Sequence, residues 1–326
     1  MSKLTQEMFE WLISPGPRVK LLEKWLLEEV WTQDRYKKLS AVDYLKDGEA
    51  KVNDLEEVIA SAAFRLYEEL LGEPPDGRDV LNFIQSEEPS AIIIFDGLSL
   101  RELPVLLNLA AKSELKVSEA GVTFATLPTE TLDYIKNRLK IGPVTPSQLP
   151  GRKELKSSGI STFYYSSPSQ QHILDRDIKT LLLWSAFPDN TYSDSGARFA
   201  QHFEQIHTLL ETAWSNTVMQ IPRDRKILIT SDHGYVYFGS GLSFGRNNFE
   251  LRPLAQYLGG ERYRRLTEEG EPPLEHPDLA VFPSRQVAAI RGRVQTHPPG
   301  KSATRLYKHG GLSIMEMLIP WLVLNN

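Results

Sequence analysis

Cysteine is absent from the 326 residues, so no disulfide can brace this fold and no thiolate can bind a metal or act as a nucleophile. Any metal site must be assembled from carboxylates, imidazoles and hydroxyls. Long apolar runs are missing as well. The best of them, Ala91–Phe95 and Leu181–Trp184, have the length of a strand and fall far short of a membrane span. The opening residues, Met1-Ser2-Lys3-Leu4-Thr5-Gln6-Glu7, lack the basic, apolar and small-residue sections of a secretory signal. A cytoplasmic protein with no membrane partner is the expectation. Positive charge is also not in excess: 37 Lys and Arg stand against 42 Asp and Glu, a formal net charge of −5. That argues against coating nucleic acid by bulk charge but leaves room for a local basic strip.

What is present is ordinary for a globular chain, with 41% hydrophobic and 24% charged residues. The length suits one large α/β domain, or one domain with a small accessory region. Residues 1–87 read as a helical accessory region that docks on the main domain or on partner proteins. Within it, Lys20–Leu39 carries Leu21, Leu22, Trp25, Leu26 and Val30 at helical spacing. Asn53-Asp54-Leu55-Glu56 has the form of a capping box and predicts a helix start, with the stop at Pro74-Pro75. From residue 88 onward strands and helices alternate. Strands are expected at Ala91–Phe95, Lys116–Thr126, Lys179–Ala186 and Lys226–Thr230, and helices at Leu100–Leu115, Pro128–Leu139 and Ser195–Met219. Residues 140–178 read as a long surface excursion, and Tyr235–Phe244 as a glycine-punctuated hairpin. The alternation argues for an α/β sandwich around a largely parallel sheet.

Ligands of such sheets gather at the carboxyl ends of the strands, and three acids are placed there. Asp96 follows Ile92-Ile93-Ile94-Phe95, Asp189 follows Leu181-Leu182-Leu183-Trp184, and Asp232-His233 follows Ile227-Leu228-Ile229-Thr230. Singly each is also a common turn residue or helix cap; together they suggest a shared site. Converging carboxylates and imidazoles can hold two divalent cations that clamp an in-line displacement at phosphorus. A hydroxyl nucleophile could come from the threonines of Ala125-Thr126-Leu127-Pro128-Thr129-Glu130-Thr131, which could equally be helix caps. Among seven histidines, His172, His202, His207 and His276 sit in surface-like contexts and His297 in a proline-rich loop. His309 differs, because Gly310-Gly311 beside it permits close backbone approach, and Ser313 with Glu316 forms a capping box after it.

Four segments taken together, Ile92–Gly97 (IIIFDG), Leu127–Thr131 (LPTET), Thr230–Gly234 (TSDHG) and His309–Pro320 (HGGLSIMEMLIP), resemble the PglZ domain, a branch of the alkaline phosphatase superfamily. The resemblance spans about residues 88–326 and implies an alkaline-phosphatase-like three-layer sandwich with a mostly parallel sheet. It implies that Asp96, Thr131, Asp232 and His233 hold one divalent metal, Thr131 also being the nucleophile that is transiently phosphorylated. Asp189 and His309 match ligands of a second metal. A common superfamily pattern has a histidine four residues after that aspartate; here position 193 is Ser and the nearest acid is Asp194, which the resemblance makes a candidate ligand. Zn²⁺ suits the mixed Asp/His set, with Mn²⁺ or Mg²⁺ as alternatives.

PglZ domains are associated with bacterial phage defence, notably BREX, and with some signalling proteins. The implied activity is metal-dependent phosphodiester cleavage on nucleotides or nucleic acid, with other defence proteins as partners. One feature of the chain itself agrees. Arg285, Arg291, Arg293, Lys301, Arg305 and Lys308 form an acid-free basic stretch running into His309; Arg291, Arg293 and Lys308 are its candidate substrate-binding residues. A solvated strand face is the other reading of that stretch. No sequence-specific DNA-binding motif is present, so cleavage of nucleic acid would be independent of base. A phosphomonoesterase on the same fold and a catalytically weak scaffold remain the alternatives.

Overall fold

The apolar run after residue 88 becomes a central strand because none of its residues meets water. In the computed structural model, which describes residues 18–61, 66–86, 88–194, 199–267, 272–296 and 306–325, β1 (Ser90–Phe95) is buried along its whole length. Its side chains alternate between two cores, as a period of two requires. Ala91, Ile93 and Phe95 join one cluster with Leu106, Phe203, Leu210 and the N-terminal Trp31, Tyr44 and Leu55. Ile92 and Ile94 join a second with Tyr134, Ile135, Leu149 and Leu155. Helices therefore cover both faces, and the fold is a three-layer α/β sandwich.

Six strands make the sheet. β2 (Lys116–Phe124), β3 (Ile160–Tyr165), β4 (Thr180–Ser185) and β5 (Lys226–Thr230) join β1, and β11 (Leu318–Asn325) completes it in the order β2-β11-β5-β1-β4-β3. β1 pairs in parallel with β4 and β5, and β3 with β4; β11 runs antiparallel to both β2 and β5. The mostly parallel sheet is thus as expected, with one reversed strand. Short strands carry the rest. β6 (Val236–Tyr237) pairs with β10 (Tyr307–Lys308), while β7 (Tyr263–Arg265), β8 (Leu279–Phe282) and β9 (Val287–Ile290) form a small antiparallel sheet. The helix Asn248–Leu258 packs on it through Leu254 and Leu258.

Several local expectations are corrected. The strand β3 lies inside the segment read as a surface excursion. Its Ile-Ser-Thr-Phe-Tyr-Tyr sequence is half-exposed because it is an edge strand, so it lacks the unbroken apolar signature of β1. The stretch Tyr235–Phe244 is no hairpin; β6 finds its partner some 70 residues later. Asn53 opens no helix. It lies inside Ala41–Ser61, which starts after Ser40, whose Oγ accepts from the Asp43 amide at 3.1 Å. Lys20–Leu39 is also not one helix, since the chain breaks at Trp31 and restarts under a Thr32 cap. Tertiary packing of Trp31 and of the face bearing Tyr44, Leu45, Val52, Leu55 and Ile59 decides these boundaries.

The N-terminal helices share the main core and also reach it through buried charge. Glu49, on the helix Ala41–Ser61, pairs with Arg101 and with Arg293, all three fully buried. Glu56 on the same helix accepts from the Ile314 amide at 2.7 Å. No described helix is long and apolar enough to cross a membrane.

Candidate metal centre and active site

The carboxyl ends of β1, β4 and β5 lie side by side, and the turns leaving them are tied to one another. The Asp96 amide donates to Ser185 O and the Asp189 amide to Asp96 O, each at 2.9 Å. Ser231 Oγ donates to Phe95 O at 2.7 Å. Gly97 takes a φ of +69°, a conformation glycine adopts at no steric cost, and its amide donates to Asp232 Oδ1 at 3.1 Å. Gly234 sits hard against the C-terminal motif. A side chain there would put Cβ 2.1 Å from the Met315 carbonyl oxygen, and the Gly234 amide donates to Glu316 O at 3.0 Å. The Ser-Asp-His-Gly run is therefore clamped between β1 and the segment that follows His309.

Thr131 enters from the other side. It is the first residue of the helix Thr131–Asn137, three residues later than Pro128, because the chain makes a tight turn in which the Glu130 amide donates to Pro128 O at 2.8 Å. Its hydroxyl does not cap that helix. Oγ1 donates to Asp232 Oδ2 at 2.7 Å and lies 3.5 Å from Asp96 Oδ1. Asp96 Oδ2 is approached by Trp184 Nε1 at 3.4 Å.

The two motif histidines stack, with ring centroids 4.0 Å apart and planes 15° from parallel. His233 Nε2 points at Asp96 Oδ1, 3.6 Å away, and at Asp232 Oδ2, 3.7 Å away. His309 Nδ1 lies 2.8 Å from Thr129 O and 3.3 Å from Glu130 Oε1, which turns Nε2 towards Asp189 Oδ1 at 4.0 Å. Two ligand-like groups result: Asp96, Asp232 and His233 in one, Asp189, His233 and His309 in the other. Asp96, Thr131, Asp189, Asp232, His233 and His309 are thus brought together. The side chain of Asp194 lies outside the described residues; its backbone ends the turn Asp189–Asp194.

This donor set fits divalent cations. His233 Nδ1 sits 3.0 Å from Gly234 O, while the buried Nε2 has no hydrogen-bond partner although two carboxylates face it. An imidazole bonded to a carbonyl through one nitrogen and open at the other is oriented as a metal ligand. Burial, then Asp232, then Asp189 push the Asp96 carboxyl well above its usual range. Among the described residues no lysine or arginine forms an ion pair with Asp96, Asp189 or Asp232. For His309, burial acts downward, but the hydrogen-bonded Glu130 carboxylate and the nearby Asp189 outweigh it and push the imidazole up to about 10. Acids and imidazoles crowded in this way are relieved by a cation that displaces their protons.

The basic candidates fare differently. Arg293 does not reach the centre. It is fully buried, held by Glu49 Oε2 and Tyr237 O, each at 2.6 Å. Lys308 lines a cavity of about 260 Å³ beside Asp189 and His309, but its ammonium is directed to the carbonyls of Gly260 and Thr296. Arg291 donates to Pro277 O. Arg285 donates to Leu71 O, and His297, Lys301 and Arg305 lie outside the described residues. The strip thus reads as one charge run in sequence while its described side chains turn to separate partners, Arg293 to Glu49 and Tyr237 O, and Arg285, Arg291 and Lys308 to backbone carbonyls.

Sequence reasoning missed the residues that hold the ligands in place. Thr129 Oγ1 accepts from the Gly310 amide at 2.6 Å while its carbonyl orients His309, and Glu130 flanks the same ring. Glu316 completes only half of the expected capping box: its amide donates to Ser313 Oγ at 3.3 Å, but its carboxylate takes Arg262 at 2.7 and 2.8 Å and the Gly311 amide at 2.8 Å. His202 and His207 are not surface residues. His202 is buried against Tyr307 and Thr191, and burial pushes His207 down to about 4. Both lie on the helix Phe199–Asn216, where an amphipathic pattern hides which face a histidine occupies.

No family model matches the chain, and no curated protein does. Solved structures similar in shape include murine ectonucleotide pyrophosphatase / phosphodiesterase 5, with a TM-score of 0.47 at 14% identity over 72% of this chain and 88% of that one. The human protein of the same name gives 0.44 at 14% identity, over 72% and 87%. Phosphonoacetate hydrolase from Sinorhizobium meliloti 1021, in complex with phosphonoacetate, gives 0.35 at 12% identity, over 72% and 89%. Likeness at this level concerns the path of the chain, and the chemistry rests on the residues described above.

Proposed function

We propose that this chain is a metal-dependent phosphoric ester hydrolase of the alkaline phosphatase superfamily, acting on phosphodiesters through Thr131. The carrying observation is the position of Thr131 Oγ1, 2.7 Å from Asp232 Oδ2 and 3.5 Å from Asp96 Oδ1, at the edge of an acid and imidazole cluster whose aspartates pair with no lysine or arginine among the described residues. The bond to Asp232 fixes the oxygen and gives its proton an acceptor, while a lone pair stays available to phosphorus. As the Oγ1–P bond forms, one ester P–O bond breaks and its oxygen takes up a proton and leaves as the alcohol; water then cleaves the bond between Thr131 and phosphorus, restoring the hydroxyl and releasing the remaining phosphomonoester. Asp96, Asp232 and His233 would hold one divalent cation, and Asp189 and His309 a second, with Asp194 a further candidate. Such cations supply acidification of the hydroxyl and neutralisation of phosphoryl charge.

Zn²⁺ is the cation this nitrogen and oxygen donor set favours, with Mn²⁺ and Mg²⁺ as alternatives. The motif resemblance alone supports placing the chain in the PglZ branch and in a phage-defence or nucleotide-signalling assembly; the cytoplasm is the expectation from a sequence without cysteine or a signal-like start. The test uses a chromogenic phosphodiester and the matched monoester, with Zn²⁺ or Mn²⁺ present. Thr131→Ala is expected to lower kcat by about a thousandfold or more, and Thr131→Ser to keep part of it. Equal rates for wild type and Thr131→Ala would remove the nucleophile assignment. Faster turnover of the monoester would reassign the enzyme to monoesters.

A further inference from the structure

A second cavity, of about 410 Å³, opens where several segments meet. They include the loop after β2, the far end of the helix Thr131–Asn137, the turn after the helix Leu66–Glu69, the end of β7 and the Pro283–Arg285 turn. Five basic side chains line it: Lys136, Arg138, Lys140, Arg265 and Arg285. Among the described residues, Asp133 and Glu73 are the only acids in its lining, and Asp133 is already paired with Arg265. Lys136 and Lys140 are exposed and have no acidic partner among the described residues. Arg138 reaches Asp79 at 3.5 Å through Nη1, yet its buried Nε has no hydrogen-bond partner. In a chain with a net charge of −5, this concentration of cations in one concave place is not a sample of the average surface.

We propose that this cavity binds a phosphate-bearing polyanion, at a site separate from the metal centre. Its size lies within the usual range for small-ligand pockets, roughly 300–1,000 Å³. Guanidinium and ammonium groups from different elements around one hollow match the spread charge of linked phosphates better than that of a single carboxylate. The placement also suggests how such an anion is used. Ala125, Thr126 and Leu127 line the cavity and precede Thr131 in the same loop, so the cavity and the reacting hydroxyl flank one short helix at the carboxyl edge of the sheet. The anion is then either the distal phosphates of an extended substrate or a free polyphosphate. Only that choice rests on the hydrolase reading; the binding site itself does not.

Calorimetric titration with inorganic pyrophosphate in the presence of a chelator tests the site without the metal centre. Wild type and Asp232→Asn are expected to bind alike. The double variant Lys136→Ala with Lys140→Asn should bind roughly tenfold more weakly; asparagine is chosen because residue 140 has a φ of +55°. Circular dichroism and Tm of the double variant establish that it folds. A separate Arg285→Ala variant, at an exposed position, should show a smaller loss in the same direction. Binding that is absent in wild type, unchanged in the double variant, or abolished by Asp232→Asn overturns the proposal. Kinetics then separate the two sources. A raised KM for a short oligonucleotide with an unchanged KM for a chromogenic diester assigns the cavity to the substrate's own phosphates. A rate on the chromogenic diester that pyrophosphate alters in wild type but not in the double variant assigns it to a free anion.

Discussion

Two clusters of buried charge in this molecule are built on opposite principles. In the interior, carboxylates meet guanidinium groups: Glu49 lies between Arg101 and Arg293, and Glu316 takes both arms of the Arg262 fork. Burial alone would raise the Glu49 carboxyl, yet the two arginines bring it below its usual value. At the carboxyl edge of the sheet, Asp96, Asp189 and Asp232 converge with no such partner among the described residues, and Asp96 is pushed well above its usual range. The first cluster pairs its charges within the chain and joins the N-terminal helix to the sandwich. In the second, His309 is the one cationic group facing the three aspartates among the described residues. Like charges gathered without a counter-charge cost stability, and such places are where function is to be sought.

The contrast can be broken from the interior side first. Glu49→Ala leaves Arg101 and Arg293 buried and uncompensated, and should cost about 3–5 kcal/mol in urea unfolding. A loss below about 1 kcal/mol would mean that the network contributes little to holding the N-terminal helix.

Glu56 is the intermediate case, because its Oε2 has no partner. Burial pushes it from an ordinary 4.5 up to about 7, although Arg293 and the Ile314 amide act the other way. The folded state therefore holds this proton more tightly than the unfolded chain does. The resulting stabilisation is fully present below about pH 4.5 and is lost as pH rises through about 7, amounting to about 3 kcal/mol. Glu56→Gln should flatten that part of the stability-against-pH curve between pH 5 and 8. An unaltered slope would show that the titration belongs to another group.

Asp96→Asn gives the smallest expected change in metal-free protein, less than about 1 kcal/mol and without loss, since it removes repulsion from Asp232 and Asp189. With the metal in excess, wild type should gain about 2.7 kcal/mol at a hundredfold its Kd, and the variant should lose most of that gain. Equal metal-induced shifts in Tm would take Asp96 out of the ligand set.

Much of the centre was legible in the chain because strand-end acids obey a local rule. A buried parallel strand has an unbroken apolar run, and the residue after it lies at the carboxyl edge; Asp96 and Asp232 were found in this way. The edge strand β3 was not, because four of its six side chains are only partly buried and its Ser-Thr-Tyr-Tyr content breaks the apolar run. In the basic stretch before His309, Arg293 was misplaced for a related reason. Its charges are neighbours in sequence, but Arg293 turns inward to Glu49 and Lys308 to backbone carbonyls.

The amino-acid sequence by itself determined the α/β class, the chemistry open to a chain without cysteine, and the identity of the strand-end acids. Each follows from composition or from spacing along one element. Tertiary structure alone decided that Thr131 reaches Asp232 rather than capping its helix, that His233 and His309 stack, and that Thr129 and Glu130 orient His309. It also decided which arginines lie in the interior and which line a cavity. Those outcomes depend on contacts between residues separated by up to 244 positions, as Glu49 and Arg293 are, and no local pattern encodes them.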